Sequence, residues 1–233
     1  LASFYFYFPK SNLIGVDNNP FRIRYKSNRV RVIYADISSN TILKNLSYHL
    51  NKKFDLIIDD CSHKLIDQIL CFKENFKNLK NNGIYVVEDL NFPEIHPMYN
   101  PTKETTDLKM ILKQIQRKDK ISSKLILDSE IELIKDSIKE INFYKGIGEN
   151  SEIVFIKKKW CIFVYFLKEF SKNSSFLLRI IPPVAENPPI EPSDLITLWH
   201  GIAKGILFCA HIFPTCRGDN LNFFAISPYD FVL

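Results

Sequence analysis

Two short acidic runs carry the strongest chemical signal in this sequence. Asp59 and Asp60 stand just before His63, and Glu88 and Asp89 follow further along the chain. Three or four carboxylates that meet at one place repel one another unless a cation lies among them. Oxygen ligands of this kind suit Mg²⁺, which keeps several waters and leaves room for substrate hydroxyls. With a histidine nearby as general base, the pattern predicts metal-assisted chemistry on a hydroxyl group.

Two further acids, Asp17 and Asp36, follow earlier apolar runs. A carboxylate in the position of Asp17 can accept hydrogen bonds from both hydroxyls of a ribose, which suits adenosylmethionine and NAD equally. Asp36 is placed to accept from an adenine amino group, or else to cap a helix that starts near Ser39. His63 taken alone would be a surface histidine in the first turn of a helix. Beside the acids, we favour the general base.

The elements that must position these residues are short, apolar, β-branched runs. Such runs are typical of strands buried on both faces of a parallel sheet. An acid follows each of them, and the carboxyl ends of parallel strands form the ligand-binding edge of an open sheet. The four predicted strands are Asn12–Val16, Val30–Tyr34, Phe54–Ile58 and Gly83–Val87.

Helical patterns alternate with these strands. An apolar stripe at steps of three and four residues predicts a helix from about His63 to Lys80, with Gly83 just past its end. Further helices are predicted at 105–118 and 128–139, and closing strands at 141–144 and 153–157. This alternation predicts an α/β fold with a Rossmann-like, doubly wound, mostly parallel sheet.

The chain divides near Lys159 into two regions of different composition. Residues 160–233 hold 11 charged residues, against 46 in the first 159, and seven of the twelve prolines. The stretch 181–192 (IPPVAENPPIEP) predicts an extended linker, and 195–207 a short helix weakened by two glycines. We therefore expect one domain over 1–159 and a tail over 160–233. That tail is an appended segment, a partner-binding extension, or sequence outside any working protein.

Composition restricts the classes of partner. The net charge of +5 is spread along the chain without a block of like charges, which argues against a nucleic-acid-binding arm. Five cysteines without paired spacings favour neither structural zinc nor a disulfide framework. No signal peptide and no apolar run of about 18–20 residues is present. We expect a cytoplasmic protein that binds a small-molecule hydroxyl acceptor, without nucleic acid or membrane, and a homo-oligomer is one option for its assembly.

Four segments resemble a known family. They read IGVDNNP (14–20), RVRVIYADISS (29–39), FDLIIDDCSHKLIDQILCFKENF (54–76) and NNGIYVVEDL (81–90). They are similar to the class I S-adenosylmethionine-dependent methyltransferases that include macrolide-sugar and rhamnosyl O-methyltransferases, relatives of the cephalosporin hydroxylase-like proteins. The family pattern is close to I-D-D-G-S-H, a helix with Q and F, then G-G-I-Y-V-I-E-D-L. The resemblance runs from about residue 3 to 157.

The resemblance implies S-adenosylmethionine as cofactor. Asp17 would hold its ribose, Asp36 would lie near its adenine, and Asp59 would stand on the cofactor side of the site. Direct displacement at the sulfonium methyl needs little beyond alignment of the reacting atoms.

The resemblance also implies a magnesium-dependent O-methylation of a sugar or a similar small molecule. Mg²⁺ would be bound by Asp60, Glu88 and Asp89 and would hold two vicinal hydroxyls of the acceptor. His63 would remove the proton from the hydroxyl that is methylated.

The sequence departs from the family pattern in three places. Cys61 replaces a glycine, and Asn81-Asn82 replaces Pro-Gly. The first strand and its glycine-rich turn should precede Ser3, and residues 1–8 resemble the end of the helix that follows that turn. A sheet without this central strand would expose strand edges on both sides of the gap.

Two alternatives to the enzyme stay open at this point. The missing strand favours a truncated or degenerate pseudoenzyme that retains at most a binding surface. An NAD-dependent dehydrogenase would explain Asp17 but would leave the acidic cluster without a role.

Overall fold

The structure, a computed structural model, describes residues 2–19, 21, 27–50, 52–121, 123–145, 151–159 and 222–226. A seven-stranded sheet with helices on its two faces forms the frame of these residues. The elements in chain order are α1 (Ala2–Tyr7), β1 (Asn12–Asp17), β2 (Val30–Tyr34), α2 (Asn40–Leu50), β3 (Phe54–Asp59), α3 (Leu65–Phe76), β4 (Leu79–Val87), α4 (Phe92–Ile95), α5 (Leu108–Arg117), α6 (Asp128–Ser137), β5 (Ile138–Lys145), β6 (Glu152–Lys158) and β7 (Asn222–Ile226). A 3₁₀ turn, Pro97–Tyr99, follows α4.

The strand order is β2-β1-β7-β3-β4-β6-β5. Neighbours from β2 to β4 run parallel, whereas β6 runs antiparallel to both β4 and β5. This arrangement confirms the predicted Rossmann-like, mostly parallel α/β sheet. It also brings the carboxyl ends of β1, β2, β3 and β4 to a single edge.

Strand β7 comes from the tail and lies in the centre of the sheet. Phe223 pairs in parallel with Leu13 of β1 and with Leu56 of β3. The expectation that both edges of the gap would be exposed is therefore wrong, because β7 pairs with each of them. The proposed linker at 181–192 and the weak helix at 195–207 lie outside the described residues.

The junction between α3 and β4 differs from the sequence prediction. Helix α3 ends at Phe76, and β4 already begins at Leu79, four residues before Gly83. Gly83 is thus a strand residue and not a helix terminator. A Cβ atom there would lie 3.0 Å from the carbonyl oxygens of Lys80 and Phe54, so this close approach of backbones favours glycine.

The other predicted elements are found with shifted ends. Helix α5 begins at Leu108, not at residue 105, because the Asp107 carboxylate accepts a hydrogen bond from the Met110 amide at 2.7 Å and caps it. Helix α6 ends at Ser137, where β5 begins directly at Ile138. In the part of the chain that the structure covers, no helix is long and apolar enough to cross a bilayer.

Apolar side chains cover both faces of the sheet. On one face, Phe54 and Ile57 of β3 pack in a cluster with Phe72 of α3. On the other, Leu56 of β3 packs with Phe8, which follows α1. Burial of each such side chain contributes about 1.5–3 kcal/mol. Strand β3 is consequently held from two sides, and the residues that follow it start from a fixed point.

Candidate active site at the carboxyl ends of the strands

The structure brings the predicted acids to the same edge of the sheet. Asp17 and Asp59 end β1 and β3, and Asp36 follows β2. Glu88 directly follows β4, and its amide donates to the Asp59 carbonyl at 3.0 Å. The parallel order of these strands is what aligns their ends.

His63 lies between the carboxylates of Asp60, which follows β3, and Asp89, which follows Glu88. Its Nε2 is 3.6 Å from Asp60 Oδ1 and 3.9 Å from Asp89 Oδ2. The histidine is 1% exposed. One ligand atom from each of the three residues lies within 4.8 Å of the others, a spacing that allows one ion to contact all three. Asp60, His63 and Asp89 are therefore close enough to share one ligand or one ion.

The backbone is strained at two of these three residues. His63 has φ 55° and Asp89 has φ 46°, both in the left-handed region that side-chain-bearing residues seldom adopt. The turn before His63 contains Cys61 where the family has glycine, and Cys61 keeps a negative φ. Strained residues persist where the surrounding structure fixes them, and they concentrate at functional sites.

The charges of this cluster are unbalanced. Burial, followed by Asp60 and Asp89, raises the pKa of Glu88 well above its usual range. Burial lowers the pKa of His63, although the Asp89 charge works in the opposite direction. Carboxylates this close favour a bound cation, and oxygen donors fit Mg²⁺. Coordination of Mg²⁺ by Asp60, Glu88 and Asp89 stays a prediction, of which the spacing of Asp60 and Asp89 is compatible with one ion.

Two residues that the sequence did not single out for a role fix Asp89. The Ser151 hydroxyl donates to Asp89 Oδ1 at 2.7 Å. The Gln68 side-chain amide donates to the Asp89 carbonyl at 3.3 Å. Gln68 had a signal, since the family helix carries a glutamine, but Ser151 had none.

Asp59 points into the core beneath the site. It is 1% exposed, and Tyr85 of β4 donates a hydrogen bond to its Oδ2 at 2.8 Å. Burial raises the pKa of Asp59 to about 6, against hydrogen bonds from Cys61 and Tyr85 that lower it. In this position Asp59 supports the site from below. A direct contact of Asp59 with the cofactor stays a prediction.

Two cysteines lie beside Asp59 in the core. Cys61 and Cys71 are both free and buried, and their sulfur atoms and an Asp59 oxygen lie within 4.8 Å of one another. The hydrogen bond with Cys71, followed by burial, raises the pKa of Cys61 well above its usual range. Burial and Asp59 raise the pKa of Cys71 to about 11, although its hydrogen bond with Cys61 lowers it. Neutral thiols of this kind serve as packing groups.

The two acids on the other side of the edge differ in exposure. Asp17 is 6% exposed, and its Oδ1 accepts from the Asn19 amide at 2.7 Å. Asp36 is exposed, and its Oδ1 accepts from the amide and the hydroxyl of Ser38 at 3.0 and 2.7 Å. Asp36 thus fixes the turn that precedes α2, and both a helix cap and a role at adenine stay predictions.

An aromatic cluster stands beside His63. The ring of Phe92 lies 5.1 Å from the His63 ring, 5.2 Å from His96 and 5.4 Å from Tyr99. The Tyr99 ring lies 6.2 Å from His63. Phe92, His96 and Tyr99 are spaced by four and three residues, a helical-face pattern that could have indicated them in the sequence.

Comparison with known proteins gives partial matches. No protein-family model matches the chain. A rhamnosyl tetracenomycin-C 2′-O-methyltransferase of Streptomyces olivaceus is 31% identical over 103 residues, 43% of this chain and 27% of that protein. A tetracenomycin-C 3′-O-methyltransferase that acts on the 2-methoxy-rhamnosyl compound, from the same organism, is 31% identical over 84 residues, 36% of this chain and 21% of that protein. The matches thus span about a quarter of these relatives.

Solved structures with a similar fold are more distant in sequence. The MycE methyltransferase of the mycinamycin biosynthetic pathway, in complex with Mg, SAH and mycinamycin VI, is 15% identical at a TM-score of 0.46 and aligns over 68% of this chain and 48% of its own. The fibrillarin pre-rRNA processing protein of Methanococcus jannaschii is 13% identical at a TM-score of 0.39, over 64% of this chain and 56% of its own. The two curated relatives confirm that the chain resembles the class I S-adenosylmethionine-dependent sugar O-methyltransferases.

Proposed function

We propose that this chain transfers a methyl group from S-adenosylmethionine to a hydroxyl of a sugar, with the help of Mg²⁺. One observation carries the proposal, namely the buried His63 between the carboxylates of Asp60 and Asp89 at the carboxyl edge of the sheet. The names of the two curated relatives supply the acceptor class.

The residues of the β3 and β4 ends would hold the acceptor. Asp60 and Asp89, joined by Glu88, would bind Mg²⁺. The ion, when bound, holds vicinal hydroxyls and makes their protons easier to remove. Gln68 and Ser151 keep Asp89 in place through its carbonyl and its carboxylate.

His63 would act on the proton of the hydroxyl. When bound, S-adenosylmethionine would supply an electrophilic methyl group, and the new O–C bond to the acceptor would be balanced by loss of the C–S bond and departure of adenosylhomocysteine. Nε2 of His63 would take up the hydroxyl proton. The close packing of His63 against Phe92 keeps the imidazole in one orientation and excludes water from one side of it.

Asp17 and Asp36 would hold the nucleoside of the cofactor. The carboxylate of Asp17 is nearly buried and fixed by the Asn19 amide, so it is oriented before a ribose arrives. The residues after β7 read SPYD (227–230) and carry no glycine.

The test is Mg²⁺ binding by calorimetry, combined with transfer of labelled methyl from S-adenosylmethionine to methyl α-L-rhamnopyranoside. Asp60→Asn and Asp89→Asn should abolish the heat of Mg²⁺ binding. Asp55→Asn, at the opposite end of β3, is the matched control and should retain it. His63→Asn, which tolerates the left-handed backbone, should lower kcat about 10²- to 10⁴-fold. Mg²⁺ binding that survives both site variants would contradict the proposed metal site.

A further inference from the structure

The segment after β4 forms a fixed wall beside His63. It runs from Asn91 through α4 and the 3₁₀ turn to Asn100. At its first end, Leu90 donates its amide to the Glu152 carbonyl at 2.9 Å, and the Asn91 side chain accepts from the Glu152 amide at 3.0 Å. At its other end, Asn100 exchanges two hydrogen bonds with Glu104 at 2.9 and 3.0 Å.

A half-buried cation also holds this segment. Lys109 Nζ lies 2.8 Å from the carboxylates of both Glu94 and Glu152. Its side chain is 13% exposed. Glu94 belongs to α4, so the ion pairs tie the wall to α5 and to the start of β6. A wall held at both ends and in its middle is formed before any ligand binds.

The three rings of this wall differ in their surroundings. Phe92 is the central ring, with His63, His96 and Tyr99 all within 5.4 Å of it. Tyr99 stands at the border of the cluster and is half-buried. Among the described residues, no hydrogen bond is made by the Tyr99 hydroxyl. A ring with an open side and an unused hydroxyl can pack on a ligand and also hydrogen-bond to it.

We propose that Phe92, His96 and Tyr99 form the acceptor wall of the site, with Tyr99 as the residue that selects a sugar ring. This inference rests on the proposed function and adds to it the residues that recognise the acceptor. A pyranose has an apolar C–H face and a rim of hydroxyls. The acceptor wall fits the apolar C–H face of the sugar, and the acids beside His63 fit its hydroxyls. Such a combination of apolar lining and few polar groups is usual in ligand sites.

The test is binding of methyl α-L-rhamnopyranoside to the full chain in the presence of adenosylhomocysteine and Mg²⁺. Binding is monitored by NMR, through saturation transfer and through chemical shifts during a titration with the sugar. In the wild type, the ring protons of the sugar should shift upfield, because they lie over an aromatic face. Tyr99→Leu should weaken sugar binding about tenfold, the size of one aromatic contact. Tyr99→Phe should keep the upfield shift and lose less affinity than Tyr99→Leu, because it removes only the hydrogen bond of the hydroxyl. Met98→Leu is the matched control, since Met98 is 73% exposed, and it should bind as the wild type does.

Adenosylhomocysteine affinity, measured on the same samples, separates the two proposals. Unchanged cofactor affinity with weakened sugar binding in Tyr99→Leu supports the acceptor wall. Cofactor binding without sugar binding in the wild type, or equal sugar binding in Tyr99→Leu, overturns the acceptor wall alone. If the folded wild type binds neither the sugar nor adenosylhomocysteine, the proposed function is overturned as well.

Discussion

The two halves of the sheet edge are built differently. On the β3 and β4 side, the strand ends are buried, and His63 and Asp60 are fixed among core residues. On the β1 and β2 side, β2 is largely open to solvent, and Asp36 is exposed. Within the described sheet, the two halves meet at β7, which pairs with β1 and β3. The β3 and β4 side, which we propose as the acceptor half, therefore comes from one continuous segment. Its link to the β1 and β2 side, which we propose as the cofactor half, depends on a strand from far along the chain.

The largest effect should come from breaking that link. Phe224 pairs with Ile14 on one side and Ile57 on the other. Phe224→Pro removes the amide donor in the middle of a central strand. We expect a loss of about 5 kcal/mol or more, comparable with the whole stability of a marginal domain. Chemical denaturation measures this loss.

Phe224→Val is the control, because it keeps the amide and suits a strand. Hydrogen exchange should show faster exchange in β1 and β3 of the proline variant. Equal stability of the proline and valine variants would contradict the central position of β7.

A smaller but still large loss of stability should follow from truncating a core side chain on the β3 and β4 side. Phe72 is fully buried, with the rings of Phe76 and Tyr85 at 5.1 and 5.4 Å. Phe72→Ala should cost about 3–5 kcal/mol of unfolding free energy. Tyr34 of β2 is 64% exposed, and Tyr34→Ala should cost less than about 1 kcal/mol. Similar losses of stability in both variants would contradict the claim that the β3 and β4 side is buried whereas β2 is open to solvent.

The hydrogen bond beneath the site gives a third prediction. Tyr85→Phe removes the donor to Asp59 and leaves a buried carboxyl oxygen without that partner. The expected cost is about 1–3 kcal/mol. Tyr144→Phe is the control, because among the residues that the structure describes its hydroxyl makes no hydrogen bond. A cost for Tyr144→Phe equal to that for Tyr85→Phe would indicate that the loss does not come from Asp59.

The smallest effect should come from the exposed side of the cofactor half. Asp36→Ala removes the two hydrogen bonds that its Oδ1 accepts from Ser38. The stability loss should be about 0.5–1 kcal/mol, the size of a side-chain hydrogen bond in an exposed turn. Adenosylhomocysteine affinity of the same variant tests the predicted role of Asp36 at adenine. An unchanged affinity would leave Asp36 only its part in this turn.

Local pattern predicted much of the fold and part of the site. Buried β-branched runs predicted β1, β3 and β4, because a strand held on both faces leaves a compact apolar signature. Strand β2 was also predicted, but it is an edge strand that is largely exposed and not buried on both faces. The early start of β4 at Leu79 was missed, since two asparagines and a glycine resemble a turn. Strand β7 was also missed, because its partners lie more than 160 residues away and pairing at that distance leaves no local pattern.

Residue type and spacing predicted the acids and His63, since parallel strands bring their ends together. The hydrogen bonds that hold Asp59 and Asp89 in place could not be predicted from residue type and spacing. Tyr85 reaches Asp59 from the neighbouring strand, and Ser151 reaches Asp89 from beyond β5. Such contacts depend on side-chain direction in the folded chain. The acceptor wall could be predicted in part. The spacing of its aromatic residues by four and three can be read from the sequence, but their position beside His63 cannot.

The central claim is that both halves of the edge form one cofactor and acceptor site. The most direct measurement is calorimetric binding of adenosylhomocysteine to the full chain, with and without Mg²⁺. We expect one binding site, weakened about tenfold or more by Asp17→Asn through loss of a charged hydrogen-bond acceptor, and unchanged by Asp55→Asn. A folded chain that gives no heat with adenosylhomocysteine under either condition would contradict the account.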